Sequence, residues 1–151
     1  MSVDSTMSND SVLHREWSVA SDISTIEPLV AEVVMLCLSG GLSSRACRLN
    51  VSVALTEALS NAIICGNHSN STKLVLASMS LDANCLTLEV TDEGDGFDPS
   101  EITYSPADAD WLEREDGRGL FLMRSLMDKV EMQKAREQRV GMTVRMVLNR
   151  S

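Results

Sequence analysis

Between residues 26 and 38 the apolar positions Ile26, Leu29, Val30, Val33, Val34 and Cys37 recur three and four apart, the spacing of one helix face. This predicts a helix from Thr25 to Leu38, with Pro28 tolerated in its first turn and Gly40-Gly41 ending it. Ser43 or Ser44 can cap a second, longer helix that runs to Gly66-Asn67 and is apolar through Val51, Val53, Ala54, Leu55, Ala58, Leu59, Ala62, Ile63 and Ile64. A carboxylate and a carboxamide stand within it, Glu57 and Asn61. Four residues apart, they share one face, one turn from each other. Left unpaired in an apolar interior such groups cost several kcal/mol, so the pair either faces water as a polar stripe or lines a cavity.

Elsewhere the period falls to two, as in strands. Val12 to Val19 reads as a moderately exposed edge strand, with Leu13, Trp17 and Val19 on one side and His14 on the surface. Lys73 to Met79 is a second strand, and Asp82-Ala83-Asn84 turns the chain into a third. There Leu86, Leu88 and Val90 point one way and Thr87, Glu89 and Thr91 the other, which places Asp92 on the inner side at the strand's end. That is the position of a site carboxylate and equally of a turn former. Two last strands, near Lys129 to Ala135 and Gln138 to Leu148, pair as a hairpin, the second with Val140, Met142, Val144, Met146 and Leu148 on one face.

Glycines mark two further places. Glu93-Gly94-Asp95-Gly96-Phe97 can turn tightly and expose bare backbone to a ligand. Gly117-Arg118-Gly119-Leu120 opens a third helix, Leu120 to about Lys129, with Leu120, Met123, Leu126 and Met127 at helical spacing. Free N–H groups at a helix start form an anion site; a hinge before the helix fits the same residues. Between these motifs, Asp98 to Asp116 is polar, with six acidic residues from Glu101 to Asp116, too long for a simple connector.

Composition narrows the function classes. The chain has 151 residues, enough for a single domain with a substantial core. Aromatics are only 3 %, so aliphatic side chains and nine Met must fill that core. A net charge of −9 argues against direct binding to nucleic acid or an anionic membrane. Cys37, Cys47, Cys65 and Cys85 form no C-x-x-C pair, so neither zinc nor a redox motif is signalled. Three of them lie in apolar contexts, where a free thiol behaves as a small buried hydrophobe. Residues 1–11 read as a polar, Ser-rich disordered tail rather than an export signal. No run approaches the roughly 20 apolar residues of a membrane helix. The expectation is a cytoplasmic protein of one domain, residues 12–151.

Three motifs thus stand in a fixed order: Glu57-Ala58-Leu59-Ser60-Asn61-Ala62-Ile63, Asp92-Glu93-Gly94-Asp95-Gly96-Phe97, and Gly117-Arg118-Gly119-Leu120-Phe121-Leu122-Met123-Arg124-Ser125-Leu126-Met127-Asp128. Together they resemble the ATP-binding fold of gyrase, mismatch-repair, heat-shock chaperone and histidine-kinase proteins. More closely, the chain is similar to the bacterial anti-sigma-factor serine kinases of partner-switching systems, over about Val12 to Leu148. The resemblance implies an α/β two-layer sandwich, a mostly antiparallel sheet with three helices on one face. It implies that Glu57 is the catalytic base, that Asn61 binds Mg²⁺, and that Asp92 accepts the adenine amino group. Gly94 and Gly96 would let backbone pass close to the nucleotide, the N–H groups of Gly117, Arg118, Gly119 and Leu120 would hold phosphate, and residues 98–116 would close over ATP.

The implied activity is phosphorylation of an anti-sigma-factor antagonist on Ser, with sequestration of a sigma factor when that antagonist is phosphorylated, by a protein that is commonly a homodimer. Two positions depart from the pattern: Cys65 stands where a His is usual, and Met142 follows Gly141 where a Thr hydroxyl usually reaches the adenine. By period two, Thr143 falls on the outer face. These departures leave an alternative, a nucleotide-dependent binding regulator with little phosphotransfer. A histidine-kinase catalytic domain fits less well, because no helical hairpin with an acceptor His precedes the motifs.

Overall fold

The structure, a computed structural model, describes residues 13–94, 115–134 and 141–150, with residues 115–118 described as backbone only. The expected tail, Gly96 and most of the acidic stretch lie outside the described residues. Five strands, β1 (Leu13–Ala20), β2 (Leu74–Leu81), β3 (Cys85–Thr91), β4 (Lys129–Lys134) and β5 (Met142–Asn149), form one antiparallel sheet in the order β1-β2-β3-β5-β4. Three helices pack on one face: α1 (Ile26–Ser39), α2 (Ala46–Gly66) and α3 (Glu115–Leu126). This is the two-layer α/β sandwich that the motifs imply.

Side-chain alternation sorts each strand between the layers. Val75, Ala77, Met79 and Leu81 on β2, Leu86, Leu88 and Val90 on β3, and Met142, Val144 and Met146 on β5 are buried. Register stacks them in rows across the sheet: Met79 opposite Leu88, and Leu88 opposite Met146. From the helices come Leu29, Val33 and Cys37 of α1 and Leu55, Leu59 and Ile63 of α2. Leu120, Met123 and Met127 complete the core from α3 and the residue after it. The opposite sheet face is polar, with Arg145 of β5 against Glu89 of β3 and Glu131 of β4.

Local signals end the elements as their chemistry dictates. The Ser43 hydroxyl accepts the Ala46 N–H at 3.1 Å to cap α2. Asp82 Oδ1 accepts N–H groups from Asn84 and Cys85, closing the β2–β3 turn and lowering the Asp82 pKa. His14 is exposed and bonds Ser80 and Glu16.

Three expectations are corrected. Helix α3 begins at Glu115, so Gly117, Arg118 and Gly119 lie within it rather than before it. A Gly in a helix costs about 1 kcal/mol against Ala, a penalty that burial of Leu120 and Met123 against α2 outweighs. Helix α2, 21 residues from Ala46 to Gly66, is by length and composition apolar enough to cross a membrane, although no such run was expected. Its apolar face is the centre of the domain core, where Cys47, Val51, Ala54, Leu55, Ala58, Leu59 and Ile63 are all at most 2 % exposed. Of the four cysteines only Cys37 and Cys47 are buried, and desolvation pushes Cys37 up to about 12; Cys65 is exposed, and Cys85 half-buried.

Helix α2 is not uniform. Its middle, Ser52–Ser60, is a regular α-helix, and the flanking segments Ala46–Val51 and Asn61–Gly66 are wound as π-helix. At the C-terminal end the Asn67 N–H reaches back five residues to the Ala62 carbonyl at 2.9 Å. Such widened turns concentrate at functional sites, and this one starts at Asn61.

Candidate functional site

Glu57 and Asn61, both half-buried, face Gly119 of α3. A Cβ at Gly119 would stand 3.0 Å from Asn61 Nδ2, 3.2 Å from Glu57 Oε1 and 3.4 Å from Asn61 Oδ1. The half-buried pair lines the contact between α2 and α3. Bare backbone at Gly119 leaves one carboxylate oxygen and one carboxamide oxygen at a common spot. Such a pair can accept a proton and coordinate a hard cation.

Asp92 lies beside the C-terminal end of α2, against Gly66. It is 6 % exposed, and burial raises its pKa against the opposing pull of two backbone hydrogen bonds. The Gly94 N–H donates to Oδ1 at 2.9 Å and the Met142 N–H to the same oxygen at 3.1 Å. Oδ2 faces Gly66, where a Cβ would overlap it. A Cβ at Gly94 would overlap the Gly66 carbonyl, and one at Gly141 the Asp92 carbonyl. Gly141 also holds φ at 136°, a conformation L side chains rarely adopt. Three glycines therefore form a cradle around one buried carboxylate.

Asp92 falls on the inner face, as period two predicts. Thr143 falls on the outer face, where its hydroxyl meets that of Thr91 at 2.8 Å. No bulge returns it to the cradle, and the Met142 side chain is 2 % exposed in its place.

A model of the histidine kinase-like ATPase domain matches residues 19–148. The chain belongs to this family. The ATPase domain is 32 % identical to anti-sigma F factors from Thermoanaerobacter pseudethanolicus and Caldanaerobacter subterraneus subsp. tengcongensis over 85 residues, 56 % of this chain. The match spans 59 % of the length of those relatives. In three dimensions it superposes on the mycobacterial sensor histidine kinase MprB with a TM-score of 0.51. That likeness covers 91 % of this chain and 97 % of the other at 16 % identity, and shows the fold alone.

Within this ATPase domain the three sequence motifs lie along α2: Gly119 beside its middle, Asp92 and Gly94 beside its end. Gly96 lies outside the described residues, as does the side chain of Arg118. Because α3 starts at Glu115, its unpaired N–H groups belong to the first turn, which includes Gly117, while those of Gly119 and Leu120 fall inside the helix. The sequence marks Gly66 and Asn67 only as the end of α2, and Gly141 only as the residue before the departure at Met142. Each matters here through a neighbour distant in the chain. Two open grooves elsewhere, 430 Å³ on the polar sheet face beside Ser78 and 560 Å³ between α1 and α2 beside Met35, include none of these residues.

Proposed function

We propose that this ATPase domain, residues 12–151, is a cytoplasmic serine-protein kinase and anti-sigma factor that phosphorylates an anti-sigma-factor antagonist and sequesters a sigma factor, without contacting nucleic acid. The observation that carries the kinase reading is the convergence of Glu57 and Asn61 on Gly119. The printed name of the relatives, anti-sigma F factor, supports the regulatory part.

The residues fit the groups this reading needs. Glycines 66, 94 and 141 let backbone close tightly around Asp92, and Asp92 Oδ2 would accept the adenine amino group. Among the described residues no cluster of three or more His, Cys, Asp or Glu could hold a metal. A single carboxamide oxygen from Asn61 suits Mg²⁺, which takes few protein ligands and keeps phosphate and water. Bound Mg²⁺ would supply neutralisation of the phosphate charge. Glu57 accepts the proton of the substrate serine hydroxyl as that oxygen bonds the γ-phosphorus, and the bond to the β–γ bridging oxygen breaks to release ADP. Backbone N–H groups in the first turn of α3 lie at the positive end of its dipole, where phosphate is favoured.

Self-association would use β1, one of the two edge strands of the described sheet, with α1 beside it. A second reading, a nucleotide-dependent binding regulator with little transfer, draws support from Thr143, whose hydroxyl is turned away from the cradle toward Thr91. Incubation with radiolabelled ATP, Mg²⁺ and the antagonist protein decides between them. Label on an antagonist serine supports the kinase; intact nucleotide binding with no labelled serine supports the regulator.

A further inference from the structure

We infer that Asn67, the residue just past the wide turn of α2, is the positioning residue that orients the Asp92 turn for base selection; this rests on the reading of Asp92 given above. Asn67 is only 1 % exposed, and its amide is fully engaged. Nδ2 donates to the Ser21 hydroxyl at 2.7 Å and to the Leu74 carbonyl at 3.1 Å, using both amide hydrogens. Oδ1 accepts the Glu93 N–H at 2.7 Å. Only one amide orientation is compatible with this set. Rotated by half a turn, the oxygen would oppose the Leu74 carbonyl and the NH₂ would oppose the Glu93 N–H.

The network has a direction. The Ser21 hydroxyl donates its one proton to the Lys73 carbonyl at 2.7 Å, so toward Asn67 it can only accept. Ser21 is itself 2 % exposed, which removes water as a substitute partner. Glu93 is clamped at both ends: its N–H lies on Asn67, and its carboxylate accepts the Leu74 N–H. The peptide joining Asp92 to Glu93 is therefore held from the helix side. The Asp92 N–H lies on the Met142 carbonyl at 3.0 Å on the strand side. Held from both sides, the turn delivers the Gly94 N–H to Oδ1 and leaves Oδ2 as the oxygen toward Gly66. Asn67 thus acts on the base through Asp92 and does not touch it.

The test compares ADP with inosine diphosphate, which lacks the exocyclic amino group, by calorimetry on the full chain. Asn67→Ala is expected to weaken ADP binding by tenfold or more and to lower the ADP-to-inosine-diphosphate selectivity at least fivefold. Ser21→Ala is expected to move selectivity the same way by a smaller factor, and it decides the matter should Asn67→Ala fail to fold. A loss shared equally by both nucleotides, with selectivity unchanged, would make Asn67 a scaffold residue and overturn the inference. Asp92→Asn is the separate control. Unchanged selectivity in that variant overturns the reading of Asp92 itself, whereas a collapse there with normal selectivity in Asn67→Ala and Ser21→Ala overturns only the role of Asn67.

Discussion

The backbone N–H of Met142 donates to Asp92 Oδ1 at 3.1 Å, tying the head of β5 to the end of β3 through a buried carboxylate. This bond and the one from Gly94 favour the ionised form, while burial opposes it and prevails. The folded-state pKa of Asp92 therefore lies above the ordinary 3.8. A raised carboxyl pKa means that the folded protein binds the proton more tightly than the unfolded chain. The stability it contributes is complete below 3.8 and is lost as pH rises through the folded value. Denaturation at a series of pH values checks this: the stability difference between wild type and Asp92→Asn should shift against wild type as pH rises through that window.

Gly141→Ala should be severely destabilising. A side chain at φ 136° costs about 1–3 kcal/mol in backbone strain, and its Cβ would overlap the Asp92 carbonyl besides. Urea denaturation should show a loss at least at the upper end of that range, together with loss of ADP binding. A shift in midpoint under a few tenths of a kcal/mol would contradict the cradle geometry.

Gly119→Ala sets two effects against each other. Ala favours the helix by about 1 kcal/mol over Gly, but its methyl would crowd Asn61 Nδ2 at 3.0 Å and Glu57 Oε1 at 3.2 Å. The expected variant is as stable as wild type or slightly more so, with phosphotransfer reduced about 10- to 100-fold through misplacement of the pair. Paired melting and single-turnover assays separate the two effects. Full activity would mean that α3 can withdraw from the pair without consequence.

Glu57→Gln keeps the shape of the side chain and removes its basicity. ATP affinity should stay within a factor of a few, while transfer to the antagonist should fall about 10²- to 10⁴-fold, the usual contribution of a general base. Transfer at the wild-type rate would exclude Glu57 from proton removal.

Arg150→Ala probes a distant tie. Arg150 donates to the Asp82 carbonyl at 2.9 Å and to the Gly40 carbonyl at 3.0 Å, joining the β2–β3 turn to the end of α1. Its loss should cost about 1–3 kcal/mol of stability, the scale of hydrogen bonds from a charged donor. Equilibrium denaturation measures that loss, and the KM for ATP should not change, because no atom of this tie reaches α2 or Asp92.

Much of this architecture was legible in the residues because the signals were periodic. Helix spacing over Ile26 to Cys37 and alternation over Leu86 to Val90 located α1 and β3 and placed Asp92 on the inner side. The four-residue interval between Glu57 and Asn61 put them on one face, but periodicity could not say what that face met. Gly119 supplied the answer from about sixty residues away. The start of α3 was misjudged because a glycine pair reads locally as a breaker, whereas burial of Leu120 and Met123 carries the helix through it. Gly66 and Asn67 were legible only as a helix end and Gly141 only as the neighbour of Met142, since their contacts arise where α2, β3 and β5 meet.

The widened turn from Asn61 to Gly66 makes chain length at that point a matter of phase. A wide turn holds one residue more than an α turn, so removing one residue there would let the helix relax to ordinary α spacing with little change of phase. Gly66 and Asn67 would then stay on the Asp92 turn, whereas the same deletion in the regular stretch Ser52–Ser60 would rotate everything after it by about 100°. Loss of a single residue should therefore be borne within this segment and not in the regular helix before it.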